Sequence, residues 1–151
     1  MRALSMHAYV QSIFLDYDSQ IVYSRLGDRA QQAYPAASLL RGGVTMSNGS
    51  DCPVELPDVM AGIQCAVTRM SFSRPAAAPY LPDEALTLTD ALRSFTSFSA
   101  HASFEERIKG RIAPGQLADF VVLGQNPYET APSQLRHIPV ESVFIGGDKV
   151  R

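Results

Sequence analysis

Asp51 is a candidate catalytic residue, because it directly follows a segment of alternating apolar residues that is typical of a strand. This stretch reads Val44-Thr45-Met46-Ser47-Asn48-Gly49-Ser50-Asp51-Cys52-Pro53-Val54. Gly49 allows the backbone to turn, and Pro53 prevents the strand from continuing beyond Asp51. A carboxylate here can accept a proton from a water molecule that attacks an amide carbonyl, and can return it to the leaving nitrogen. It can also cap the turn through an Asx hydrogen bond, and the local sequence alone favours that capping role.

Histidine and cysteine, the other residues that bind metals or attack substrates, are sparse. No two of the three histidines form a His-x-His pair, and each is expected to be structural or exposed. They are His7, His101 and His137. Cys52 follows Asp51, but no histidine is near enough in the sequence to activate its thiol, so a small buried residue is expected. Only one other cysteine is present, Cys65, so both thiols are expected to be free.

The composition excludes several classes of partner. The chain has 151 residues, enough for one domain with a core, and 13 Lys+Arg against 15 Asp+Glu give a net charge of -2. Without a basic excess there is little to attract a phosphate backbone, so no nucleic-acid partner is expected. Apolar runs fall far short of the ~20 residues that span a bilayer, and no apolar core follows Arg2 to form a signal peptide. We therefore expect no membrane partner and a cytoplasmic location.

The elements that would position Asp51 follow a strand, helix, strand order that is typical of a parallel α/β unit. Short strands are predicted at 7–11 and 44–48, joined by a polar loop with helical turns at 15–35 and a helix end at 36–41 before Gly42-Gly43. Later elements are a helix opened by Pro57-Asp58, a helix capped by Thr87 and Asp90, a helix over 100–108, and strands at 117–123 and 143–145.

These parts do not complete a sheet. A parallel sheet buries both of its faces, and this chain offers several helices but few strands. The pattern indicates the α/β class. It leaves open whether the chain is a small irregular α/β domain or a part of something larger.

Five motifs in a fixed order resemble the C-terminal portion of amidohydrolase family 3. They are NGSDCPVELPD at 48–58, AVTR at 66–69, LTLTDALRSFT at 86–96, ASFEE at 102–106 and PGQLADFVVL at 114–123. The segments YVQSIFLDYD at 9–18 and RLGDRAQQAYP at 25–35 are similar to the same family. This family includes N-substituted formamide deformylase-like enzymes and lies within the metal-dependent amidohydrolase superfamily. The resemblance extends over essentially the whole chain.

The resemblance implies a fold. The family has a (β/α)8 barrel with a small β-sandwich built from both chain ends. Residues 7–11 and 44–48 resemble the last two barrel strands, so 1–110 would be the end of the barrel and 111–151 a segment of the sandwich. Asp51 would then lie at the carboxyl end of a barrel strand, where barrel enzymes place their chemistry.

The resemblance also implies a function, the hydrolysis of a non-peptide C–N bond in a small amide-type substrate. Asp51 matches the family's carboxylate that touches a catalytic metal, zinc or another divalent ion, and serves as general base. Gln11 matches a position at the barrel mouth, although Ser12 replaces the family's proline after it. Apart from the resemblance, Arg25 and Arg29 lie in the following loop and are further candidates for substrate binding, since they could reach an anionic substrate. The alternative, which their place in a polar loop favours, is that they form a solvated face of the loop.

The family's other metal ligands are missing from this sequence. One carboxylate cannot hold a catalytic metal, so the chain alone is expected to carry no metal and to be inactive. The alternative is a non-catalytic module, derived from the tail of an amidohydrolase, that binds a partner or itself. Strands taken from a barrel would have unpaired edges, so a homo-oligomer is expected.

Overall fold

The computed structural model describes all residues, 1–151, and contains two separate β-sheets. The first pairs two parallel strands, β1 (Ala8–Val10) and β2 (Met46–Asn48). The second is antiparallel, in the order β3 (Phe120–Leu123), β4 (Val140–Ile145) and β5 (Asp148–Lys149). The α/β class predicted from the sequence is confirmed.

Six short α-helices and five 3-10 helices surround these sheets. The α-helices are α1 (Leu15–Asp18), α2 (Val22–Leu26), α3 (Ala36–Arg41), α4 (Val59–Thr68), α5 (Leu88–Ser94) and α6 (Ser97–Ala102). The 3-10 helices are Arg2–Leu4, Ser12–Phe14, Gly27–Gln32, Pro82–Glu84 and Pro132–His137. None of these helices combines the length and the hydrophobicity that a membrane-spanning helix requires.

The strand, helix, strand unit forms as predicted, with α3 between β1 and β2. Ala8 lies opposite Met46 and Val10 opposite Asn48, and the amide of Gly49 extends the ladder by donating to the carbonyl of Val10 at 3.1 Å. Successive side chains of a strand point to opposite faces. The pair therefore presents one apolar face to α3, α4 and α5 and one polar face to the opposite side, where α6 lies.

The main core lies on the apolar face of this strand pair, against α3, α4 and α5. Its buried members are Ala8, Ala36, Ala37, Val44, Met46, Met60, Ile63, Ala66, Leu86, Ala91, Leu135 and Ile138. Met46 is fully buried, and burial of a side chain of this size contributes roughly 1.5–3 kcal/mol. Leu135 and Ile138 join this core from beyond residue 110. The boundary between 1–110 and 111–151 stays a prediction.

Helix α4 begins where Pro57-Asp58 predicts. The Asp58 carboxylate accepts the amide proton of Ala61 at 2.9 Å and so caps the helix. Helix α5 packs closely on α4, because a Cβ atom added to Gly62 would lie only 2.8 Å from Cζ of Phe95. Glycine at this position therefore allows the aromatic ring of Phe95 to rest directly on the α4 backbone.

The helix predicted over 100–108 was placed wrongly, since α6 spans Ser97–Ala102. Its end is set by Phe104, whose φ of 60° lies in the left-handed region. The amide of Glu105 then donates back to the carbonyl of Ala100 at 2.9 Å, which closes the helix in the manner of a Schellman cap. Glycine usually occupies this position, so the ring of Phe104 concealed the helix end from sequence reasoning.

The antiparallel sheet matches its predicted strands closely. Strand β3 begins at Phe120, three residues later than predicted, and β4 extends the predicted 143–145 strand back to Val140. The hairpin between β4 and β5 turns at Gly146 and Gly147, both with positive φ as such two-residue turns require.

The Thr87 cap of α5 can be tested by mutation. Its hydroxyl oxygen accepts the amide proton of Asp90 at 3.1 Å, as the sequence predicts. We expect Thr87→Ala to lower the free energy of unfolding by ~1 kcal/mol, whereas Thr87→Ser keeps the oxygen and stays near the parent value. Urea denaturation measures both variants. Equal stability of Thr87→Ala and the parent would show that this hydrogen bond contributes nothing to the fold.

Candidate active site

A cleft of about 380 Å³ lies at the carboxyl ends of β1 and β2. Ligands of open α/β sheets bind at this edge, because loops with free polar groups converge there. The cleft is bounded by the two strand ends and by helix α6. Its lining is Tyr9, Val10, Gln11, Ser47, Asn48, Gly49, Asp51, Ser99, Ala102 and Ser103.

Asp51 lies in this cleft with its carboxylate exposed. Its backbone adopts a left-handed φ of 54°, and its carbonyl accepts the amide proton of Val54 at 2.9 Å. The side chain forms neither a hydrogen bond nor an ion pair with any other residue of the chain. The capping role that the local sequence favoured is therefore not formed, and the carboxylate is free to meet a ligand.

Asn48 holds the two strand ends together, and sequence reasoning missed it. This buried side chain accepts the amide proton of Ser12 at 2.9 Å and donates to the hydroxyl of Ser94 on α5 at 2.9 Å. The Ser94 hydroxyl in turn donates to the carbonyl of Ala91. Asn48 thus joins the end of β2 to the segment after β1. Only one feature of the sequence could have indicated this role. Asn48 is a polar amide at a position that the alternating strand pattern assigns to the core.

The polar face of the strand pair carries a histidine bonded to two hydroxyls. Nδ1 of His7 lies 3.1 Å from Oγ1 of Thr45, and its Nε2 lies 2.7 Å from Oγ of Ser47. Partial burial lowers the pKa of His7, and the nearby ring of His101, 6.0 Å away between centroids, lowers it further. His7 is therefore a neutral imidazole near neutral pH.

The predicted substrate-binding residues are not all brought to the cleft. Gln11 lines it, half-buried, together with Asp51. Arg25, at the end of α2, and Arg29, in the following 3-10 helix, are exposed and are not part of the lining. Binding of substrate by these three residues stays a prediction, and the geometry supports it best for Gln11.

The cleft does not by itself make a metal site. A structural or catalytic zinc needs three or four protein ligands, and no group of three or more His, Cys, Asp or Glu side chains converges anywhere in the chain. Asp51 is the only one of these residue types in the cleft lining. A metal at this position would need further ligands from residues other than these 151.

Neither cysteine takes part in the cleft. Both are free thiols, as predicted, but Cys52 is exposed, so the prediction of a buried residue was wrong. Cys52 lies in the turn that follows Asp51, and this turn is exposed. Cys65 is buried in α4, and burial raises the pKa of its thiol to about 12, which keeps it protonated and unreactive.

Comparison with known proteins decides the family. The profile of the amidohydrolase family matches residues 1–151, the whole chain. The chain belongs to the amidohydrolase family. It is 34% identical over 142 residues to YtcJ of Bacillus subtilis, covering 93% of this chain and 27% of that protein. It is 35% identical over 114 residues to N-substituted formamide deformylase of Arthrobacter pascens, covering 76% of this chain and 20% of the enzyme.

Solved structures agree with this assignment. An amidohydrolase from Thermotoga maritima is similar with a TM-score of 0.54 and 28% identity, over 78% of this chain and 26% of that one. A metal-dependent hydrolase from Pyrococcus horikoshii shares the fold with a TM-score of 0.74 and 24% identity, over 87% of this chain and 26% of that one. The amidohydrolase chain described here therefore spans about a quarter of the length of the relatives it matches.

The Asn48 link can be tested by its effect on stability. In Asn48→Ala the buried amide of Ser12 loses its acceptor, so we expect the free energy of unfolding to fall by about 1–3 kcal/mol. The matched control is Gln125→Ala, which removes an exposed side-chain amide that has no hydrogen-bond partner in the chain. That control should change stability by less than about 0.5 kcal/mol in urea denaturation. Equal effects of the two substitutions would mean that Asn48 does not hold the strand ends.

Proposed function

We propose that this chain is the C-terminal part of a metal-dependent amidohydrolase that hydrolyses a non-peptide, amide-type C–N bond in a small molecule. The observation that carries this proposal is the unpartnered carboxylate of Asp51. It lies just beyond the carboxyl end of a parallel strand, in a chain whose whole length matches the amidohydrolase family.

The parallel strand pair supports the idea that the chain supplies the end of a (β/α)8 barrel. In this proposal β1 and β2 are the last two barrel strands, and helices cover the face that carries Ala8 and Met46. Their polar face, with Tyr9 and Ser47, would line the barrel interior. Residues 1–110 would complete the barrel, and the antiparallel sheet within 111–151 would belong to the small β-sandwich.

Asp51 would act as a base at the mouth of this barrel. Its exposed carboxylate can accept a proton from a water molecule as the water attacks the amide carbonyl, and can deliver the proton to the departing nitrogen. The side-chain amide of Gln11, in the same cleft, can orient a polar substrate by hydrogen bonding. The substrate would be a small amide-type molecule.

Zinc or another divalent metal belongs to this proposal, with Asp51 as one ligand. The other ligands would come from residues outside this chain, because the cleft contains no second His, Cys, Asp or Glu side chain. Alone, the 151 residues are expected to be inactive in this metal-dependent amide hydrolysis. The hydrolase test therefore needs a protein in which these residues are joined to the other barrel strands.

In such a protein, Asp51→Asn should lower kcat for amide hydrolysis by ~10²–10⁴-fold, because the amide keeps the shape but cannot accept a proton. The matched control is Asp148→Asn, at an exposed position of β5, which should leave kcat unchanged. Steady-state kinetics and circular dichroism separate a lost base from a lost fold. A folded Asp51→Asn variant with more than half of the parent kcat would leave Asp51 without a catalytic role.

A second candidate function is that of a self-associating module, and open strand edges and an exposed apolar groove favour it. Strands β1 and β2 pair only with each other, so each has an open edge. An apolar groove of about 770 Å³ also lies between α4, α5 and the antiparallel sheet. Large apolar side chains around it are exposed, including Leu56, Val59 and Val121. Open edges and apolar patches of this kind promote pairing with another chain.

We expect the chain alone to form a homo-oligomer, most simply a two-fold dimer. Val121→Lys places a charge in the apolar groove and should shift the protein toward monomer, whereas Leu4→Lys, at an exposed position outside the groove, should not. Light scattering at micromolar concentration measures the mass of each variant. A monomeric parent protein that binds no hydrophobic dye would exclude the self-associating module and leave the amidohydrolase proposal untouched.

A further inference from the structure

A serine and a histidine meet on the polar face of the strand pair in an arrangement that resembles an activated nucleophile. Oγ of Ser47 lies 2.7 Å from Nε2 of His7, within reach for proton transfer. The other ring nitrogen, Nδ1, lies 3.1 Å from Oγ1 of Thr45. A hydroxyl bonded to a base, with the base oriented by a third group, is the general signature of nucleophilic catalysis.

The rest of the cleft is compatible with an acyl substrate. Ser47 is largely buried, but it lines the cleft of about 380 Å³. Gln11 lines the same cleft, and its side-chain amide has no hydrogen-bond partner in the protein. An unpaired amide N–H in the same cleft as a nucleophile can stabilise the oxyanion that forms when a carbonyl is attacked.

We propose that Ser47 and His7 form a nucleophile and base pair, and that the cleft accepts small acyl esters as substrates. This activity is separate from the amidohydrolase reaction. It requires neither a metal nor Asp51, and all of its groups lie within the 151 residues.

The proposed reaction proceeds in two steps. With His7 protonated on Nδ1 and donating to Thr45, its Nε2 takes the hydroxyl proton while Oγ of Ser47 bonds to the acyl carbon. The ester C–O bond breaks, and the leaving alcohol takes the proton from Nε2. Water then attacks the acyl-serine and gives a proton to Nε2. The bond between the acyl carbon and Oγ breaks, and the proton returns to Ser47, so that an ester and water become an acid and an alcohol.

The charges around His7 favour its neutral, proton-accepting form. The titratable rings that face it are those of Tyr9, from β1, and His101, from α6, and neither residue is a carboxylic acid. Glu106 lies 3.9 Å from His101, and no carboxylate forms an ion pair with His7. Partial burial adds to this effect by lowering the pKa of His7.

The experiment treats the 151-residue protein with p-nitrophenyl acetate and measures acetylation by intact mass and peptide mapping. We expect one acetyl group on Ser47, with release of p-nitrophenolate. Ser47→Ala and His7→Gln should each slow this release by about 100-fold or more. The matched control is Ser24→Ala, an exposed serine outside the cleft whose hydroxyl donates to the carbonyl of Ile21. It should react like the parent.

The pH dependence supplies a second readout, which does not require the variants to fold. Only neutral His7 accepts the proton, so acetylation of Ser47 should rise with pH and level off with a midpoint below the ordinary histidine pKa of about 6.5. Acetyl groups found only on lysine or the amino terminus would overturn the proposal. A rate that keeps rising in proportion to hydroxide would also overturn it and reduce the contact to a structural hydrogen bond.

Discussion

Parallel pairing of β1 with β2 is the interaction on which the cleft depends, because it brings two segments that are distant in the sequence to one edge. Gln11 follows the first strand and Asp51 follows the second, so their side chains face the same space only while the register holds. A shift of one residue would turn Met46 out of the core and Ser47 into it. The burial of Met46 therefore maintains the register and, through it, the site.

Buried polar groups add specificity to this arrangement. Asn48 forms hydrogen bonds with the amide of Ser12 and the hydroxyl of Ser94, which a buried apolar residue could not do.

A buried arginine fixes another part of the chain. Arg69, at the end of α4, is only 2% exposed and donates from Nε to the carbonyl of Tyr80 at 2.9 Å. Burial lowers the pKa of Arg69, and its guanidinium lies 5.7 Å from the centre of the Tyr80 ring. These contacts hold the loop after α4 against the body of the protein.

The polar face of the strand pair combines two kinds of chemistry. Asp51 offers a free carboxylate at the rim, which suits a proton acceptor in a metal-dependent amidohydrolase. Deeper in the sheet, His7 and Ser47 offer an imidazole and a hydroxyl in direct contact. Because the cleft lining contains a carboxylate and no cationic side chain, it is better suited to neutral substrates than to anions. Neutral amides and esters both meet that condition.

The sequence by itself determined the α/β class, both parallel strands, the starts of α4 and α5 and the place of Asp51. These depend on alternation, capping residues and turn residues, all of which act over a few neighbouring positions. The order of its motifs also identified the amidohydrolase family. The tertiary structure alone decided the link made by Asn48, the contact between His7 and Ser47, and the end of α6 at Phe104. The first two join residues far apart in the chain, and the third uses a backbone conformation that side-chain type seldom predicts.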